Sequence, residues 1–377
     1  MKLLIDCSSL QVGGGIQVGR SFLYDLQKTG YSEETLIILS PQISEQLSVS
    51  KFSSNFKFIT LEKEYYKNFI IRGRKLKSIE SSFGPDVNFT VFGPSYYKSK
   101  VPKVVGYAIP HYIYKDSPHF SRLSYMAKLK LKIEEKLKVR YFTQNSDYLV
   151  FETKDAAMRF SVKYSYSSDK TFVVSNTINE IFMRQDAWQK NDVIINSTDF
   201  NIICITANYE HKNFRIIPVI IDELLKKNIK NFKFIISLTK DQANFEEKYE
   251  KYIIFTGRVA LEELPDLYSK IDVVFMPTLL EVFSATYLEA MFMKKPIVAT
   301  DLSFAKDICG DSALYFNPEN PKSVADIFIK LKENRNNIVS QYIEKGTVNL
   351  KRFGNSMDRT NSYLKIINQI YKYESKR

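Results

Sequence analysis

The chain has 377 residues, too many for one small core, and a prior of about 150 residues per domain points to two or three domains. Hydrophobic residues make up 44% and charged residues 25%, which excludes a largely disordered chain. The formal charge of +12 sets an anionic partner, whether nucleic acid, membrane surface or phosphorylated substrate, against a merely solvated lysine-rich surface.

Only Leu3, Leu4 and Ile5 precede Asp6 as an apolar run, so no secretory signal is expected. No run approaches the roughly 18 apolar residues of a spanning helix. Cys7, Cys204 and Cys309 lie far apart, make no metal-ligand spacing and read as reduced core thiols of a cytoplasmic protein.

In chain order, short apolar runs alternate with helix-length segments. The first series is "LLID" (3–6), "LIIL" (36–39), "FKFIT" (56–60), "DVNFTVF" (86–92), "VVGYAI" (104–109), "YLVFE" (148–152) and "TFVVS" (171–175). After the polar stretch 191–200 comes a second: "NIICIT" (201–206), "FKFIISL" (232–238), "YIIFTG" (252–257), "VVFMP" (273–277), "PIVAT" (296–300) and "ALYF" (313–316). Buried runs spaced by helices predict parallel sheets with crossover helices, hence an α/β chain of two doubly wound domains. We place them at 1–190 and 199–356. A closing helix over about 357–377 is expected to return to the first domain. Ligands on such sheets bind at the carboxyl ends of the strands, and the cleft between two domains is the natural site.

Four stretches stand out. "SLQVGGGIQVGRSF" follows the first strand; Gly13, Gly14 and Gly15 allow a tight turn before a helix expected near Ile16, whose amides suit an anion. It lacks the G-x-G-x-x-G spacing of a dinucleotide loop. "ITANYEHKNF" sets Lys212 near a helix start, suited to a diphosphate. Arg258 and Val259 follow the strand ending at Gly257, on the rim of the cleft. In "TLLEVFSATYLEAMF", Glu281 falls in a loop and Glu289 inside a helix over about 285–293 capped by Ser284. Glu289 is flanked by apolar residues, so it needs a partner: ligand hydroxyls, or a Lys or Arg in a structural ion pair.

These stretches, in this order, resemble the GT-B glycosyltransferases of the retaining family 4. The resemblance rests on E-x7-E at Glu281 and Glu289, on "HKNF" (211–214), on "FTGRVALEELPDLYSKIDVVFMP" and on "DICGDSALYFNPENPKSVADIFIKL". It covers 199–335 closely. The N-terminal half matches loosely, through the glycine loop and "AIPHYIYKD".

The resemblance implies a GT-B architecture, two Rossmann-like domains facing each other across a cleft. It implies an enzyme moving a sugar from a nucleotide-sugar donor to a glycan or lipid-linked acceptor, with retention, in surface polysaccharide synthesis such as lipopolysaccharide or capsule. Glu281 would hold the sugar hydroxyls, Lys212 the diphosphate, and His111 the donor sugar. Glu289 would hold the ribose. Amides around Phe283, Ser284 and Ala285, with Gly14 and Gly15, would cradle the phosphates, and Arg258 and Val259 would flank the base.

Three departures from the family's pattern are present. Val282 and Ser284 replace glycines, Ala207 stands where an arginine is common, and "SNTI" replaces P-N-G-V before the linker. No Asp-x-Asp pair occurs, so no metal and no cofactor are expected; Lys212 and helix amides would supply the positive charge. The alternative within the fold is a nonhydrolysing sugar-nucleotide epimerase. The charge alone suggests a basic nucleic-acid-binding protein, but no motif for nucleic acid accompanies it, and none is expected as a partner. The basic segment 121–142 holds seven Lys or Arg and two Glu, with most of its apolar residues expected on one helical face. It predicts either a peripheral contact with the anionic inner face of the cell membrane or an ordinary crossover helix.

Overall fold

The structure is a computed structural model that describes every residue except Asn334 and Arg377. The chain forms two units. Unit 1 comprises Met1–Ile113, Ser124–Asn176 and Asn355–Arg377; unit 2 comprises Tyr114–Leu123 and Thr177–Gly354. The division falls at Asn176, ahead of the polar stretch 191–200 where composition suggested it. The segment Tyr114–Leu123, which local sequence assigns to the first half, lies with unit 2.

In unit 1 the strands are β1 (Leu3–Cys7), β2 (Thr35–Leu39), β3 (Phe56–Thr60), β4 (Val87–Thr90), β5 (Lys103–Tyr107), β6 (Tyr148–Phe151) and β7 (Thr171–Val173). They pair in parallel in the order β3-β2-β1-β4-β5-β6-β7. Strands β1, β2, β4 and β5 are buried along their whole length. Helices cover both faces of such a sheet, which is why these strands are buried on both faces, the polar Asp6, Asn88 and Thr90 included. The helix Ser356–Glu374 belongs to this core: Tyr363, Ile366, Ile367 and Ile370 pack into it, and the Tyr363 ring meets Phe22 and Phe89 at 5.5 and 5.0 Å. Asn355 and Asp358 close a capping box at its start. Arg359 donates to Asn176 at 2.5 Å and also to Ser21, fixing its first turn.

One approach in this sheet tolerates no side chain. A Cβ on Gly106 would lie 1.8 Å from the carbonyl oxygen of Val91. Gly106→Ala is therefore expected to destabilise unit 1 by about 3 kcal/mol or more, since the obstacle is backbone and cannot rotate away. Chemical denaturation followed by circular dichroism checks this; an unchanged midpoint would contradict it.

Unit 2 holds β8 (Phe200–Cys204), β9 (Phe232–Ile236), β10 (Ile253–Phe255), β11 (Val273–Met276), β12 (Ile297–Thr300) and β13 (Ala313–Phe316), all parallel, in the order β10-β9-β8-β11-β12-β13. In both sheets the order reverses beside the first strand of the series, with its neighbours β2 and β4, or β9 and β11, on opposite sides. That reversal opens a crevice at the carboxyl ends of the strands.

Candidate active site

The carboxyl edge of the unit 2 sheet gathers the charged residues. After β8 the chain makes a short 3-10 turn, Glu210–Lys212, and then a left-handed residue, Asn213, at φ 54°. Asparagine tolerates that conformation better than most residues. The α-helix begins only at Ile217, with Pro218 in its first turn, so Lys212 sits on a separate turn rather than at a helix start.

This turn is stitched to the loop after β11. Leu279 N–H donates to the His211 carbonyl at 2.7 Å, Thr278 Oγ1 to the same carbonyl at 3.3 Å, and Asn213 Nδ2 to the Pro277 carbonyl at 3.2 Å. Thr300 Oγ1 holds the Thr278 carbonyl at 2.8 Å from β12. The stitching brings Lys212 Nζ onto Glu281 Oε1 in a largely enclosed ion pair. Two of the predicted catalytic residues, 69 positions apart in sequence, thus meet directly.

Beyond Glu281 the chain enters the helix Ala285–Phe292. Ser284 occupies the N-cap position in extended backbone, but its hydroxyl caps no helix amide, contrary to the sequence expectation. The first-turn amides of this helix are therefore not held by a capping side chain. No residue from 281 to 285 has a positive φ, so Val282 and Ser284 fit without the strain that would demand glycine. Val282 is buried.

One turn further on, Glu289 is buried, and its Oε2 accepts the Tyr268 hydroxyl at 3.0 Å. Among the described ion pairs none joins it to a lysine or arginine, so it is not half of a structural salt bridge. Burial raises its pKa from 4.5 to about 7, against a smaller lowering by the Tyr268 bond.

Arg258 and Val259 follow β10, the edge strand of the sheet, with Arg258 exposed. At about 4.8 Å per strand, their loop stands about 14 Å from the loop after β11. In unit 1, Gly13 takes φ 62° and begins the helix Gly14–Lys28 two residues earlier than expected. A Cβ on Gly14 would meet nothing within 4 Å, and one on Gly15 only ordinary contacts. Packing does not demand these two glycines. His111 lies in the turn Pro110–Tyr112 after β5. Gly14, Gly15 and His111 belong to unit 1, and Lys212, Glu281 and Glu289 to unit 2.

Sequence reasoning missed Tyr268 and the segment Tyr114–Leu123. In that segment Ser117 Oγ donates to the Leu279 carbonyl at 2.5 Å and Arg122 to Asn213 Oδ1 at 2.6 Å. The buried His119 ring stands edge-on to His211 at 5.9 Å, and burial lowers its pKa. The segment thus braces both loops that carry the ion pair. Asn213, inside the quoted "HKNF", was legible as a turn former, but its role as the clamp of this brace was not.

Two parallel α/β sheets of this topology, one in each unit, define a fold of the GT-B type, and solved structures share it. Sucrose-phosphate synthase from Thermosynechococcus elongatus superposes with a TM-score of 0.71 at 11% identity, covering 99% of this chain and 100% of that one. HepE from Anabaena, solved in complex with UDP-glucose, gives 0.67 at 15% identity with 100% of both chains covered. A glycosyltransferase from Rickettsia africae gives 0.69 at 16% identity, with 98% of each covered. Residues 199–334 match the family described as glycosyl transferases group 1. Over these residues unit 2 is therefore similar to the group 1 glycosyltransferases. It is also 24% identical over 165 residues to the O-antigen chain mannosyltransferase RfbU of Salmonella typhimurium, a match spanning 42% of this chain and 44% of that protein.

Proposed function

We propose that the protein is a retaining glycosyltransferase that moves a sugar from a nucleotide-sugar donor to a glycan or lipid-linked acceptor of a bacterial surface polysaccharide. The observation that carries this reading is the Lys212–Glu281 pair, set beside a helix start that no side chain caps. A cation, a carboxylate and first-turn amides at one place are what a sugar diphosphate requires. The likeness of unit 2 to group 1 glycosyltransferases supports it.

In this mechanism the donor exchanges partners with the ion pair. The diphosphate takes Lys212 and the amides of Phe283, Ser284 and Ala285. The sugar hydroxyls take Glu281. Lys212 then offsets the charge that grows on the departing nucleoside diphosphate as the glycosidic bond stretches. The acceptor hydroxyl attacks from the same face and loses its proton toward the leaving phosphate, so configuration is retained without a protein nucleophile. Glu289 and Tyr268 hold the ribose, and Arg258 and Val259 flank the base. The protein works in the cytoplasm, peripherally at the inner face of the membrane.

A thermal-shift screen with UDP-, GDP- and dTDP-sugars, followed by transfer assays and NMR of the product anomer, tests the reading. Stabilisation by one donor and transfer with retention are expected. An inverted product refutes the mechanism, and epimerisation of the donor without transfer refutes the function.

The positive charge at the diphosphate is assigned to Lys212 and helix amides, so activity is expected to survive EDTA. Strict dependence of the rate on added magnesium or manganese would overturn that assignment.

A further inference from the structure

The carboxyl end of β1 in unit 1 carries a polar cluster that the donor chemistry does not use. Arg72, near the start of the helix Phe69–Phe83, is only 7% exposed. Among the described ion pairs none joins it to a carboxylate. Its Nη2 donates to Ser8 Oγ at 3.0 Å and to Ser9 Oγ at 3.1 Å. Its Nε is buried without a partner, and its Nη1 makes no described hydrogen bond but, unlike Nε, is not sealed from solvent. Asp6, the acid linked to the cluster, is one hydroxyl away: Ser8 N–H and Oγ both donate to its Oδ1, at 2.9 and 2.5 Å. A buried cation ordinarily takes a direct anionic partner, because leaving it without one is costly.

The surroundings fix the guanidinium rather than neutralise it. It lies 4.7 Å from the centre of the Tyr66 ring and 5.4 Å from that of Tyr96. The Tyr66 hydroxyl donates to the Ser8 carbonyl at 2.9 Å, tying that ring to the loop after β1. Gly73 lets the helix close on Tyr96, for a Cβ there would lie 2.5 Å from the Tyr96 carbonyl oxygen. The helix start offers no substitute for the side chains, since Asn68 Oδ1 already accepts the amides of Ile70 and Ile71 at 2.9 and 3.3 Å. Ser9 is half-buried, and its hydroxyl accepts Arg72 while its own proton is uncommitted among the described bonds. The strand order reverses beside β1, the position at which sheets of this kind bind ligands.

We propose that Arg72 and Ser9 form an anion subsite in unit 1 for an oxyanion, phosphate or carboxylate, that the acceptor carries. Arg72 Nη1 and the Ser9 hydroxyl donate to it, and the charge of Arg72 gains the direct partner it lacks. A guanidinium held in one orientation suits either oxyanion. Calling the ligand an acceptor rests on the transfer reading: the donor's diphosphate is assigned to Lys212 in unit 2, which leaves an anion held by unit 1 to the other substrate.

Ligand-observed NMR titration without any donor tests the subsite. Glucose 1-phosphate and glucuronic acid are the probes for the two sources, with methyl glucoside as the neutral control. At least one acid should bind, the tighter naming the source, and methyl glucoside should not. Arg72→Gln should weaken that binding at least about tenfold, the scale for a lost charge-assisted contact, and Arg72→Lys should recover part of it. Ser9→Ala removes one hydroxyl without touching the guanidinium, so it should keep the wild-type circular dichroism spectrum and decides the matter even if Arg72→Gln does not fold. It should weaken binding about threefold. With an identified acceptor it should raise the acceptor KM by a similar factor and leave the donor KM unchanged. No binding of either acid, equal binding of methyl glucoside, or folded variants that bind like wild type would overturn the proposal. So would binding that is lost in Lys212→Ala but kept in Arg72→Gln, which places the anion in unit 2. Transfer that proceeds while neither acid binds sinks the subsite alone. Arg72-dependent binding in a protein that transfers nothing sinks the transferase reading and leaves the anion site standing.

Discussion

Lys212→Ala is expected to lower turnover by roughly 100-fold or more, the scale for removing one preorganised electrostatic stabiliser. The effect should fall mainly on kcat. In the folded protein Lys212 and Glu281 satisfy each other, so the donor gains Lys212 only by releasing Glu281, and part of the binding gain is offset. The net advantage appears as the leaving phosphate accumulates charge. Lys212→Arg should keep the charge but misplace it, because a planar fork does not replace a compact ammonium; a partial recovery is expected. Steady-state kinetics with the identified donor decide the matter. A folded alanine variant with unchanged kcat would remove Lys212 from the mechanism.

Glu289→Gln should separate stability from binding. The folded protein holds the Glu289 proton up to about pH 7, whereas the unfolded chain releases it near 4.5. The folded state therefore binds more protons between those values. The stability this group contributes is complete below about pH 4.5 and is lost as pH rises through about 7. Glutamine does not ionise, so above pH 7 the variant should be the more stable protein, by up to about 3 kcal/mol at 1.36 kcal/mol per pKa unit.

Ligand affinity should move the other way. Ribose hydroxyls donate to a carboxylate, so nucleoside diphosphate binding to wild type should weaken below pH 7 and take place with proton loss. The glutamine variant should bind about 1–3 kcal/mol more weakly at pH 8 and show no such pH dependence. Glu281→Gln should not weaken nucleoside diphosphate binding, and by freeing Lys212 should tighten it somewhat, while depressing transfer from the intact donor. Calorimetry in buffers of different ionisation enthalpy reads both quantities. If Glu281→Gln and Glu289→Gln lose nucleoside diphosphate affinity equally, the division between sugar and ribose is wrong.

The inner strands were legible because parallel sheets bury both faces, and the edge strands, buried over part of their length at most, as short β-prone runs between helical segments. "ALYF" coincides with β13 and "FKFIT" with β3, while the longer runs overshoot their strands into loops, as "DVNFTVF" does past Thr90. The E-x7-E segment was legible because one loop and one short helix carry both carboxylates. Tyr268 was not, since nothing within a local window links it to Glu289. The basic helix Tyr125–Asn145 was half legible: its apolar residues lie on two sides rather than one, Val139 and Phe142 buried and Tyr125, Met126 and Ile133 exposed, and periodicity does not say which side looks outward. The brace of Ser117 and Arg122 was hidden for a similar reason. Its partners, Leu279 and Asn213, lie 162 and 91 residues away.

The chain passes between its two units four times, at residues 113–114, 123–124, 176–177 and 354–355. During synthesis, therefore, the sheet of unit 1 emerges early but must wait for nearly the whole of unit 2 before Ser356–Glu374 arrives to cover Phe22 and Phe89. Unit 2 likewise waits with Tyr114–Leu123 already made. Neither unit can complete its core from the residues made first, so a nascent chain carries exposed apolar surface until Ser356–Glu374 has been made, and a stop before that helix releases a product with an open core.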